Sequence, residues 1–339
     1  MSESLNRNKL AEYVKKAQQN VAYCPNCQPA DTGEEIWVFG SPMLMDEFLH
    51  DHKIPEKYHE YVAEALHCNN CGSPLGMSCE VGVEYLITPE QYKLEKLWDS
   101  KWKIWNLKNN EKFKDFYEFL EKYPYLGAHH NLGKRILKII GKSPKSKLEN
   151  SLFYRAVKCE QNVVINTERM YPPNPEERAI TEGRYNHFGQ RVFYLANSEE
   201  GAAKEKLDET ENEKTVWMQK FKIKHVDNIL DLSPYDDSDK LPEQIDPITF
   251  GLIYGGVLQR PVMRATGWKP EYFIPRFIAD CAKMYGVAGI QFLNTKHYIG
   301  DFLMSKNLVL FDWSKENIEP VDEPYEYKLI ERKPFILDL

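Results

Sequence analysis

The sequence predicts an α+β protein in two parts, on three observations. Residues 5–140 read almost wholly as helices, and residues 153–311 read as short β-rich apolar runs interspersed with helices. Two Cys-x-x-Cys pairs sit in the first part alone. The 339 residues, 42% hydrophobic and 13% aromatic, are enough for two cores. With 44 Lys and Arg against 51 Asp and Glu, the net charge of −7 supplies no global positive field to draw the chain to nucleic acid or anionic lipid. No run approaches the roughly 20 apolar residues of a membrane span, and the opening MSESLNRNKL lacks the apolar core of a secretion signal. A cytoplasmic protein is expected. The seven cysteines agree, because an odd number cannot complete a disulfide framework.

Leu10, Tyr13, Val14 and Ala17 mark an amphipathic helix over residues 5–20. Cys24-Pro-Asn-Cys27 and Cys68-Asn-Asn-Cys71-Gly follow as two tight knuckles, and four thiolates make a closed tetrahedral zinc site. His67 and Cys79 are possible substitute ligands, and four free buried cysteines are the ordinary alternative. A site with four protein ligands has no open coordination position, so the metal would be structural. The 40 residues between the pairs exceed a simple zinc ribbon's loop and hold a helix opened by Pro55, with Tyr58, Tyr61, Val62, Ala65 and Leu66 on one face.

A strand is expected at residues 84–87. Pro89 and Glu90 then open a long helix bearing Tyr92, Leu94, Leu97, Trp98, Trp102 and Trp105. These indoles read as core; as a base-stacking surface they would need more than lysines balanced by Glu95 and Asp99. Phe113, Phe116, Tyr117 and Leu120 mark the next helix, and Leu132, Ile136, Ile139 and Ile140 the last, capped by Gly141. His129 and His130 before it read as structural or surface residues. Residues 141–150, GKSPKSKLEN, are polar, basic and broken by Pro144, so they read as a linker after a domain of residues 1–140.

Residues 153–157 form an apolar strand interrupted by Arg155, whose five fixed donors match a pyrophosphate; pairing with a carboxylate is the ordinary alternative. The loop MYPPNP leads to a Gly-Arg-Tyr-Asn turn at residues 183–186, where the glycine frees the backbone to aim Arg184 into a cleft. Residues 192–196 form a strand containing Tyr194. Asn197, with Glu200 three residues on, caps a helix carrying Ala202, Ala203 and Glu205, and the flanking Lys204 and Lys206 make a surface ion pair the plain reading of that glutamate. Strands follow at 216–223 and 228–232, helices at 242–258 and 274–285, and strands at 287–292, leading to Asn294, and at 308–311. Residues 314–339 read as a charged tail.

Three of these stretches, FYRAV, TEGRYNHFGQRVFYLANSEEGAAKEKL and GIQFLNTK, fall in an order and spacing that resembles the RES domain, the toxin half of many bacterial toxin–antitoxin pairs. That family is related to ADP-ribosyl transferases and consumes NAD. The resemblance implies a RES domain over residues 151–313, with a central mixed or split sheet clasping NAD. It implies that Glu205, Tyr194 and Arg155 are catalytic, that Arg155 and Arg184 hold the pyrophosphate, that Tyr194 and Tyr185 stack on or position the nicotinamide ribose, and that Asn294 hydrogen-bonds the ligand. Tyr185 stands where the family usually has Trp, Asn294 where it commonly has Ser, and Ala288 where it has an acidic residue.

The helical half resembles the HEPN-like regions that accompany some RES domains, without an arginine five residues before a histidine as in ribonucleases of that class. The activity implied is cleavage of the nicotinamide–ribose bond by water or phosphate, in a toxin or defence effector. Protein ADP-ribosyl transfer, or a non-catalytic zinc- and nucleotide-binding interaction module, are the alternatives. Expected partners are NAD and an antitoxin or regulatory protein; neither membrane nor nucleic acid is expected.

Overall fold

Helix α1 (Arg7–Gln18) starts where the Asn6 side chain accepts hydrogen bonds from the amides of Asn8 and Lys9. Strand β1 (Met43–Leu44), helices α2 (Met45–Asp51) and α3 (His59–Ala65) and strand β2 (Glu80–Val81) follow, with β1 antiparallel to β2. The computed structural model describes residues 6–28, 38–158, 164–207, 215–233, 245–260, 269–294 and 305–329. The chain divides into two compact units, residues 1–98 and 99–339, within helix α4 (Pro89–Ile104).

The first unit is built on Tyr23, Phe48, Leu49, Val62, Leu66 and Val81, all buried. The strand expected at residues 84–87 is instead β2, a few residues earlier, while Tyr85 and Ile87 pack against this core as irregular chain. Pro55 precedes a 3-10 turn, Glu56–Tyr58, and α3 begins after it.

In the second unit a π-helical turn, Trp105–Asn109, joins α4 to α5 (Asn110–Lys122), and α6 (Asn131–Lys142) follows. Strand β3 (Ser146–Lys158), helix α7 (Thr167–Met170), β4 (Phe193–Ala196), α8 (Glu199–Lys206), β5 (Thr215–Asp231), α9 (Pro247–Ile253), α10 (Phe273–Met284), β6 (Gly289–Leu293), β7 (Lys306–Leu310) and β8 (Ile318–Lys328) complete it. The expected linker at 141–150 is not one: Gly141 lies inside α6 and β3 starts at Ser146. The apolar stripes of α5 and α6 must be covered, and α10 covers them, with Phe116 edge-on to Phe277 at 5.2 Å.

The sheet order is β3-β4-β7-β6-β5-β8 with a further β3–β5 pairing, so five strands close into a ring and β8 flanks it. Every pairing is antiparallel except β5–β6, whose parallel crossover carries α9 and α10. The ring is closed by a long β3–β5 ladder and, on the other side of β3, by one residue pair, Tyr154↔Ala196. This is the α+β fold with a mixed, split sheet.

Strands expected at 216–223 and 228–232 are one strand, β5, with Asn228 at φ 57°. The expected charged tail is strand β8 up to Lys328, and residues 330–339 lie outside the described residues. Its prolines and charges suit an edge, where one side of the ladder needs no partner. The helix expected at 242–258 is observed as Pro247–Ile253; residues 242–244 lie outside the described residues. Among the described residues, no helix is long and apolar enough to cross a membrane.

Candidate active site

The Gly-Arg-Tyr-Asn turn is fastened by one hydroxyl. Tyr194 on β4 accepts from the Tyr185 amide at 2.9 Å and donates to Asn186 Oδ1 at 3.0 Å, while Asn186 Nδ2 donates to the carbonyls of Thr181 and His187. Gly183 is required here by space, because a Cβ would fall 2.4 Å from Asn186 Oδ1 and 2.7 Å from the Tyr194 hydroxyl. Burial pushes the Tyr194 phenol well above its usual range, so it remains a neutral hydrogen-bonding group. Tyr185 is fully buried, its ring centroid 4.6 Å from that of Phe292. Its ring is packed in the core.

Arg184 leaves the turn into a buried position, where Nη1 donates to the Leu258 carbonyl at 2.8 Å and Nη2 to that of Arg260 at 3.1 Å. Its guanidinium carbon lies 5.0 Å from the ring centroid of Tyr272, and that of Arg276 lies 5.4 Å from the same centroid. Tyr272 is raised chiefly by burial; Arg184 opposes this, Glu205 adds to it, and Arg276 opposes it. Two guanidiniums and one carboxylate therefore act electrostatically on one phenol.

Glu205 comes from α8. The helix is capped by Ser198, whose Oγ accepts from the Gly201 amide at 3.1 Å; Asn197, the expected cap, instead accepts from the Lys306 amide. Ala202 and Ala203 bury one face, which leaves Glu205 half-buried at the rim. A Cβ on Gly201 would lie 2.0 Å from Ser305 Oγ, so only glycine lets α8 approach so closely. Asn294, nearly fully buried, donates to the Gly201 carbonyl at 3.1 Å and so positions this helix. Asn307 of β7 donates from Nδ2 to Glu205 Oε1 at 2.7 Å, a charge-assisted bond that fixes the acid.

Arg155 is placed differently. Alternation along β3 puts it with Phe153 and Val157, whereas Tyr154 and Ala156 face the α8 cluster. Its guanidinium lies 5.2 Å from the Phe193 ring centroid and makes a long 3.5 Å contact to the Tyr194 carbonyl, across the split beside β3. Although the residue is only partly covered, the guanidinium is enclosed, and burial, aided by Arg178, lowers it to about 10. The structure fastens the Arg184 turn on Tyr194, ties Asn294 to α8, which carries Glu205, and sets Arg155 on the other face of β3.

Tyr272, Arg276 and Asn307 were not singled out from the sequence. A signal existed for two of them: Arg276 interrupts the apolar run FIPRFIADCA, and Asn307 interrupts the strand KNLVL.

In the first unit, Cys24, Cys27, Cys68 and Cys71 have ligand atoms within 4.8 Å of one another, with Sγ separations of 3.8 Å for Cys24–Cys27, 3.6 Å for Cys24–Cys71 and 3.5 Å for Cys27–Cys68. Tetrahedral zinc with Zn–S near 2.3 Å needs edges of roughly 3.8 Å, so the four sulfurs fit a metal ion. Burial raises the Cys24 thiol, while the Ser73 hydroxyl and amide lower Cys71 to about 6. Neither His67 nor Cys79 joins the group. His130 caps α6, its Nδ1 accepting from the Leu132 amide and its Nε2 meeting Asp115.

A search of the curated proteins gives no match. The model of the RES domain matches residues 152–331, from β3 through β8. It spans the split sheet, the Arg184 turn and Glu205, and more than half of the residues, so the chain belongs to the RES domain family.

Proposed function

We infer that the protein cleaves the nicotinamide–ribose bond of NAD at the site around Glu205. The observation that supports this best is Glu205 fixed by Asn307 within electrostatic reach of Tyr272, whose ring centroid lies 5.0 Å from the Arg184 guanidinium carbon, and the RES family is associated with NAD-acting enzymes. As the glycosidic bond breaks, positive charge develops on the ribose, and an oriented carboxylate stabilises it. Nicotinamide departs neutral, so the step needs no strong acid. Water takes the ADP-ribose in the simplest reaction; phosphate or a protein side chain needs only a different acceptor at the same carbon.

Arg184 supplies positive charge for the phosphates. Tyr194 and Asn294 act one step back, the first holding the Arg184 turn and the second holding α8. Arg155 is a residue of the β3–β4 split in this reading, not a ligand contact. The four cysteines would hold a structural zinc ion, since all four positions come from the protein. An open NAD-consuming site requires restraint, which an antitoxin or regulatory protein covering it would supply.

The test is incubation of the full chain with NAD, following free nicotinamide and ADP-ribose. Glu205→Gln keeps the Asn307 bond but removes the charge, and is expected to lower turnover by at least about 100-fold. Turnover unchanged in that variant rules out the role given to Glu205, and the product from wild type identifies the acceptor.

A further inference from the structure

We propose that Arg276 contacts the ligand, as a second guanidinium that, with Arg184, holds its phosphates beside the ring of Tyr272. The identity of the phosphate-bearing ligand rests on the NAD reading above; the anion site itself rests on the geometry. Arg276 is 7% exposed within an apolar helix whose residues from Ile274 to Ala279 are otherwise uncharged. Its Nε donates to the Gly183 carbonyl at 3.0 Å and its Nη1 pairs with Glu182 at 2.9 Å. Nη2 is buried and has no hydrogen-bond partner among the described residues. A buried cationic donor left unmade is costly, and a ligand oxygen is one group that completes it.

The second observation is the pairing of cations. Arg184 and Arg276 lie 5.0 and 5.4 Å from one aromatic centroid. The Tyr272 ring thus places both guanidiniums at one site, each within cation–π range of the same aromatic ring. Arg184 already gives one N–H from each terminal nitrogen to the carbonyls of Leu258 and Arg260. Arg276 supplies what that leaves short, because a planar fork can grip a phosphate from one edge while another edge holds the turn. Its bond to Gly183, next in sequence to Arg184, also keeps both guanidiniums in register.

The experiment titrates the full-length protein with inorganic pyrophosphate and with ADP-ribose by calorimetry, as wild type, Arg276→Lys and Glu182→Gln. Lysine keeps the charge but loses the fork, and is expected to weaken both probes by about tenfold or more. Glu182→Gln removes the carboxylate that competes with a ligand anion for Arg276 Nη1, and is expected to tighten both probes. If Arg276→Lys binds as wild type does, or both variants lose affinity equally, Arg276 only fastens the turn and the proposal fails, while the NAD reading stands. If wild type binds pyrophosphate in an Arg276-dependent way but neither ADP-ribose nor NAD, the anion site stands and the NAD reading fails. Binding of neither probe by wild type overturns both. Should Arg276→Lys not fold, the Arg276 Nε–H resonance of labelled wild type, moving or not moving on addition of pyrophosphate, decides the same question.

Discussion

One hydrogen bond, from Asn307 Nδ2 to Glu205 Oε1, ties the acid on α8 to a strand on the far side of β4. A carboxylate that must meet a developing charge gains from being fixed beforehand, since no reorganisation is then needed as the bond breaks. Asn307→Ala should therefore lower kcat for nicotinamide release by about 10- to 100-fold, the range of a hydrogen bond to a charged group, with KM nearly unchanged. An effect on KM alone would make Asn307 a binding residue. At this scale the sequence showed which residues were chemically equipped but not what they touch. Tyr194 was expected to position the nicotinamide ribose, and its hydroxyl is engaged by the turn. Tyr185 looked like a stacking ring and is core, because Phe292, remote in sequence, packs on it.

Among the elements, α8 illustrates how tightly backbone approach controls the site. Gly201 faces Ser305 so closely that Gly201→Val must push the helix off the sheet. The variant should stay folded in the second unit but lose nicotinamide release to a similar extent as Glu205→Gln; full activity would show that the position of α8 is unimportant. Helices such as α1, α5 and α10 were legible because their apolar periodicity is local. Strands fared less evenly. β5 read as two strands, since Asn228 breaks the alternation without ending the ladder, and β8 read as a tail because an edge strand carries the charges and prolines of a loop. Capping was misplaced by one residue at α8, where Asn197 and Ser198 are both good caps and tertiary contact with Lys306 decides between them.

For the whole molecule, the helices before β3 belong to the unit that carries the site. The polar stretch 141–150 suggested a boundary there, but polarity marks exposure, not separation, and the apolar faces of α5 and α6 lie on α10. A fragment of residues 99–339 should melt cooperatively and remain soluble. One of residues 148–339 should aggregate or bind a hydrophobic dye, because it uncovers the Phe277 face. Equal behaviour of the two in calorimetry would show that α5 and α6 are dispensable.

The ring of strands is joined by ladders of three or more residue pairs everywhere except at Tyr154↔Ala196. Such a ring is a bracelet with a clasp. Parting β4 from β3 breaks one residue pair and the long Arg155 contact, while β4 keeps its four-residue ladder to β7, so local opening is cheapest along that line. Arg155 is the pin of the clasp, and the strand it pins leads from the Arg184 turn to the helix of Glu205, so the weakest join in the sheet borders the strand that links the two halves of the candidate site.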